Sequence, residues 1–209
     1  MRVLIVLAGL VLLAAVGASH ADPPPTVDMV LAAIASAPVT LSDVTLARAL
    51  GLLGLDPSSG LITEADLQRY LDAQLATREA TQLAIEVVPA DVDRAWETAG
   101  GAALDARLTA VGVDPAWARR LIAADLKMKR FVDLRFRAFA FVTEFDVDEA
   151  LGPGSHDEAD RARTRERLRA EMVSRAFAAW TDDARRRVAV RRLPGVTGPW
   201  PAPFTIGPP

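Results

Sequence analysis

The sequence contains no cysteine, which excludes disulfides, thiol nucleophiles and thiolate zinc sites. It has two histidines in 209 residues, little material for proton-shuttle chemistry. Charge of neither sign dominates: 24 Lys+Arg stand against 27 Asp+Glu, for a net charge of −3. Nucleic acid is offered no basic footprint. Catalytic signatures are missing as well, with no Gly-x-Ser-x-Gly, no Walker loop and no dinucleotide fingerprint. Gly100-Gly101 runs into Ala102-Ala103 and reads as a break between helices. What is abundant is apolar. Hydrophobic residues make up 51% of the chain, ample for the core of one domain or two small ones and too much for wholesale disorder.

Part of that apolar content sits at the very start. Met1-Arg2 is followed by a Leu/Val/Ala-rich run over 3–16, then Gly17, Ala18, Ser19, His20 and Ala21, then Asp22-Pro23-Pro24-Pro25. A positive start, an apolar middle and small residues before a helix-stopping Pro run are the marks of a cleaved signal peptide. Residues 1–21 are assigned to it, with Ala21 the last residue removed. The rival is a retained membrane anchor, but 3–18 as a helix is about 24 Å long, short of the hydrocarbon core's ~30 Å. The mature chain 22–209 is then expected in the periplasm or otherwise secreted, with no stable membrane insertion. It keeps 23 basic against 27 acidic residues and one histidine, His156.

The mature chain reads as mainly helical, with a short strand near each end. The apolar run within 27–39 ends at Ser36-Ala37-Pro38, as a buried strand and turn would. Ser42 is the expected N-cap of a first helix through about Leu53. Thr63-Glu64-Ala65-Asp66 opens a long helix to about Glu86. Short helices over 90–98 and 102–111 follow, the second closed by Gly112. Asp114-Pro115 starts a helix to about Phe139 with Trp117, Leu121, Met128, Val132 and Phe136 on its apolar stripe. Phe141-Val142-Thr143 looks extended, 146–151 is a helical turn, and Gly152-Pro153-Gly154-Ser155 is the clearest break. A closing helix over 157–187 and an alternating strand over 188–193 complete a domain spanning 22–193. A Pro/Gly-rich tail, 194–209, carries Trp200 and Phe204. Two strands too short to stand alone, one at each end of the domain, invite pairing.

Residues of types that can carry chemistry have plainer roles here. Residues 55–67 echo a calcium loop running into a helix, but Leu55 and Pro57 stand where ligand carboxylates belong, so a turn and helix cap is the reading. His156 lacks a second histidine at metal spacing and reads as a solvated residue before the closing helix. Glu97, Asp105, Asp125, Glu144, Asp146, Asp148 and Glu149 show no spacing that pairs two carboxylates about a pocket. Arg161, Arg163, Arg165, Arg167 and Arg169, with Arg185-Arg186-Arg187, are interleaved with acids, as on a solvated helix face. The aromatics are the exception. Five phenylalanines fall between 131 and 145 on more than one helical face, more than one neighbouring helix can cover. Some are expected to line a groove for an extended or amphipathic peptide.

The order of elements, with Ser42-Asp43-Val44 at the first helix and the Val88-Pro89-Ala90-Asp91-Val92 turn, resembles the N-terminal chaperone domain of the SurA family of periplasmic foldases and related trigger-factor-type domains. The resemblance covers about 27–151, and the closing helix and strand resemble the segment that completes that domain. Members commonly insert one or two parvulin-type prolyl isomerase domains between the two parts. Here that interval is only 152–156, too short for an isomerase domain. The resemblance therefore implies a chaperone core that shields unfolded or exported polypeptides, outer-membrane proteins among them, without catalysis, cofactor or metal. The candidate contacts are Phe136, Phe139, Phe141 and Phe145, with the adaptable Met128 and Met172. The alternative is a non-catalytic subunit docking one fixed partner. The tail is expected either to fill the domain's own groove or to recruit another protein.

Overall fold

A computed structural model describes residues 28–57, 60–154 and 157–206. The proposed signal peptide and His156 lie outside them. Seven α-helices and a few short antiparallel strands make up the described residues, so the mainly helical class holds.

The apolar run after residue 27 forms a hairpin: β1 (Val30–Ile34) and β2 (Ala37–Thr40) joined through Ala35 and Ser36. Leu31, Ala32, Ile34 and Val39 enter the core. Pro38 cannot donate to a ladder, and β2 is accordingly an edge strand. On the other side β1 pairs with β4 (Val190–Arg192), Ile34 opposite Val190 and Ala32 opposite Arg192. The Ala35 amide donates to the Ala189 carbonyl at 2.8 Å. The two strands expected near the domain's ends do pair, and the closing helix is tied back to the first strand.

Helix α1 (Leu41–Ala49) starts two residues before the start that a Ser42 cap would give. Thr40 is the cap: its hydroxyl accepts from the Asp43 amide at 3.2 Å, and the Asp43 carboxylate accepts from the Thr40 amide at 2.9 Å. This reciprocal box satisfies two orphan donors where a Ser42 cap satisfies one; the Ser42 amide donates to Asp28. Burial pushes the Asp43 carboxyl above its ordinary value, against the Thr40 hydrogen bonds that pull it down. The same device opens α2 (Glu64–Gln82) through Thr63 and Asp66, and α6 (Glu144–Leu151) through Thr143 and Asp146. The echo of a calcium loop over 55–67 thus resolves in part into a helix cap.

Between these caps run α3 (Pro89–Thr98), α4 (Gly101–Ala110) and α5 (Pro115–Arg135), the last capped by Asp114 with Pro115 in its first turn. Helices α2 and α5 are the central pair, burying Leu67, Leu71 and Leu75 against Leu121, Ile122 and Phe131 with Trp96 and Leu104 beside them. Helix α7 (Glu158–Arg187) lies along them with Val173 and Trp180 inward. Most of its arginines pair with acids one turn away or on α6, as a mixed-charge face should, and Arg185 also reaches Asp72 of α2, its Nε donating at 3.0 Å.

The segment after residue 193 packs on this domain. β5 (Trp200–Pro201) pairs with β3 (Leu61–Ile62) ahead of α2. Trp200 is 4% exposed, and Phe204 and Ile206 pack against the core. The Gly198 amide donates to Glu64 Oε1 at 2.9 Å, and Arg192 pairs with the same carboxylate.

Candidate functional site

Helix α5 ends at Arg135, four residues short of Phe139, and this ending builds the site. Phe136 turns out of helical geometry at φ −120°, and a single 3₁₀ turn, Arg137–Phe139, follows. Phe131, still helical, is fully buried. Its ring meets Phe136 edge-on at 5.7 Å and Trp180 of α7 at 5.0 Å. Phe177 closes the cluster, stacked on Trp180 at 5.7 Å and edge-on to Phe136 at 5.9 Å. Aromatic pairs at these separations add about 0.5–1.5 kcal/mol each beyond area burial. Phe136 is therefore largely committed to joining α5 to α7.

The three later phenylalanines are not. Phe139, Phe141 and Phe145 are 70%, 74% and 73% exposed. Six residues of chain separate the first from the last, a reach of at most about 20 Å. The surrounding backbone is held in place. The Thr143–Asp146 box fixes the start of α6, and Arg161 of α7 clamps Glu144 at 2.7 Å and Asp148 at 2.6 Å. Arg165 adds a second contact to Glu144 at 2.6 Å. These hydrogen bonds hold the Glu144 carboxyl below its usual range, and those from Thr143 do the same for Asp146.

Phe139 forms one wall of a groove of about 560 Å³. The cluster residues Phe131 and Phe136 also line it, with Leu134 and Arg135 from α5 and Leu83 and Ile85 from the end of α2. Leu83 and Leu134 are themselves more than half exposed. The six candidates thus divide. Phe136 and Phe139 share the groove. Phe141 and Phe145 stand exposed beside it in sequence. Met128 packs on the core and lines a separate hollow with Val132 and Arg137. Met172 is half-buried on α7 and lines none of the described grooves. Leu83 and Leu134 are what sequence reasoning missed as contacts; an apolar residue near the end of a helical stripe looks the same whether its neighbour is core or solvent.

A larger cleft, about 830 Å³, lies between α3, α5 and the loop after α1. The carboxylate among its lining residues that is buried, Asp125, is 2% exposed. It accepts from the Leu53 amide at 3.1 Å and pairs with Lys129 at 2.6 Å. It pins the α1–β3 loop to α5. Glu144 and Asp148 share Arg161. Among the described residues no three His, Asp or Glu side chains gather as a metal site, and no helix is long and apolar enough to cross a membrane.

No family model matches this chain, and no curated protein matches its sequence.

Proposed function

We propose that this is a chaperone-like protein of an extracytoplasmic compartment that binds unfolded or extended polypeptides without isomerase activity. The observation that carries the proposal is the exposure of Phe139 on the wall of a groove backed by an aromatic cluster, with Phe141 and Phe145 exposed close after it in the chain. Large apolar side chains left exposed close together mark interaction surfaces. An open groove lined by leucine and phenylalanine takes apolar side chains of an extended chain with little demand on their identity. The resemblance of the helix order and of Ser42-Asp43-Val44 to the SurA-type chaperone domain points the same way. The apolar start of the sequence supports export.

The test is suppression of aggregation of a chemically unfolded client by the chain from Asp22, with anisotropy of a labelled apolar peptide as the direct binding readout. The Phe139→Ala/Phe141→Ala/Phe145→Ala variant should keep its helical circular dichroism, because exposed positions rarely cost more than about 0.5 kcal/mol each. It should lose both activities. Unchanged aggregation and no peptide binding by the unaltered protein would overturn the proposal. One tight complex with a single folded protein, and no binding of extended peptides, would identify the fixed-partner alternative in its place.

A further inference from the structure

We infer that the groove beside Phe139 selects apolar segments that carry a carboxylate, and that Arg135 sets this preference; the inference rests on the polypeptide-binding reading above. Arg135 is the one charged residue lining that groove among the described residues. Its guanidinium lies 5.9 Å from the centre of the buried Phe131 ring. It forms no ion pair with a described carboxylate, and two acids close to it in the chain or to Arg137 are engaged elsewhere. Asp133 is held by Arg137 at 3.2 Å, and Glu166 is shared between Arg137 and Arg169. With no ion pair holding it among the described residues, the Arg135 charge is open to whatever enters.

The complementary occupant has apolar side chains for the Leu83, Leu134 and Phe139 walls and an Asp or Glu placed one or two residues away. Against an apolar wall that carboxylate forms a charge-assisted hydrogen bond, stronger than the same contact in open water. A lysine at that position meets like charge. The aromatic wall supplies affinity and the cation supplies choice.

The experiment uses three labelled peptides with the same leucine and phenylalanine residues and either Asp, Asn or Lys at one central position. Anisotropy with the chain from Asp22 should rank them Asp, Asn, Lys, with the Asp peptide about fivefold tighter than the Asn peptide. Salt should narrow the difference. Arg135→Gln should bring the Asp peptide to the affinity of the Asn peptide while leaving the Asn peptide unchanged, and Arg135→Lys should keep part of the preference. Arg130→Gln, which alters the neighbouring cleft, should keep all of it. Equal binding of the three peptides would overturn the inference and leave polypeptide binding standing. A preference that survives Arg135→Gln would likewise overturn the role of Arg135. If no peptide binds, the polypeptide reading falls and the inference with it. Binding of phosphatidylglycerol vesicles in place of peptides would refute both, since the surface would then be membrane-facing.

Discussion

Three helices in this protein end in the same way, and one of them uses the wrong residue. After α1 and α4 the chain leaves through Gly51 and Gly112 at φ +62° and +74°. The next amides reach back, Leu52 to Ala47 and Val113 to Leu108, both at 2.9 Å. After α2 the same pair of bonds forms, Ile85 to Ala80 at 2.9 Å and Ala84 to Thr81 at 3.1 Å, but the left-handed position at φ +52° is Ala84. A Cβ there costs about 1–2 kcal/mol, more than the roughly 0.4–1 kcal/mol that glycine loses through the freer unfolded chain. Ala84→Gly should therefore stabilise the protein by about 0.5–1 kcal/mol, read as a higher urea midpoint at unchanged slope. A lower midpoint would contradict the strain argument. Arg48 is the opposite case. It is 5% exposed, donates to the Leu61 carbonyl and lies 4.0 Å from the equally buried Asp66. Arg48→Met should cost about 3 kcal/mol, because a buried carboxylate loses its counter-charge and the Leu61 carbonyl loses a donor. Denaturant unfolding measures it, and a loss under about 1 kcal/mol would show that water replaces the guanidinium.

At the scale of elements, the ionisation of α6 should control its hold on α7. Glu144 sits below its ordinary value of 4.5 because Arg161 and Arg165 donate to it, and Asp146 below 3.8 because of Thr143. A depressed folded-state value means that the stabilisation is complete at neutral pH and is lost as pH falls through that value. Asp43, raised by burial, has the opposite sign: its ionisation works against the fold as pH rises. Amide exchange resolved by element separates the two. Protection of α6 should fall below about pH 4, and Glu144→Gln should flatten that fall; protection that stays constant into acid would contradict the clamp. The caps of these elements were legible in the sequence because they are local chemistry: Thr63 with Asp66, Asp114 before Pro115, and Gly112. The cap at Thr40 follows from the same box rule, which the nearer Ser42 obscured. The end of α5 was not legible. Helical spacing continues through Phe136 and Phe139, and what stops the helix is Phe136 meeting Phe177 and Trp180, more than forty residues later in the chain.

For the whole molecule, the least legible contact joins the segment after residue 193 to the start of α2. β3 and β5 have two residues each, too few for any alternation to show. Trp200, among prolines, gave no periodic signal of burial. Yet its ring enters the core, so Trp200→Ala should cost about 3–5 kcal/mol. Thermal unfolding checks this, and an unchanged midpoint would mean that the segment only rests on the domain. The candidate site was half legible for a related reason. Five phenylalanines within fifteen residues are visible as an excess, but which of them are left over depends on where α7 lies. The structure assigns Phe131 and Phe136 to the α5–α7 junction and leaves Phe139, Phe141 and Phe145 in solvent. The central claim is that this remainder binds extended apolar polypeptide. Its most direct test is anisotropy of a labelled apolar peptide titrated with the chain from Asp22 and with the triple-alanine variant at 139, 141 and 145. Saturable binding to the first and at least tenfold weaker binding to the folded second is the predicted result, a difference of about 1.4 kcal/mol. Equal binding by both proteins, or none by either, would contradict it.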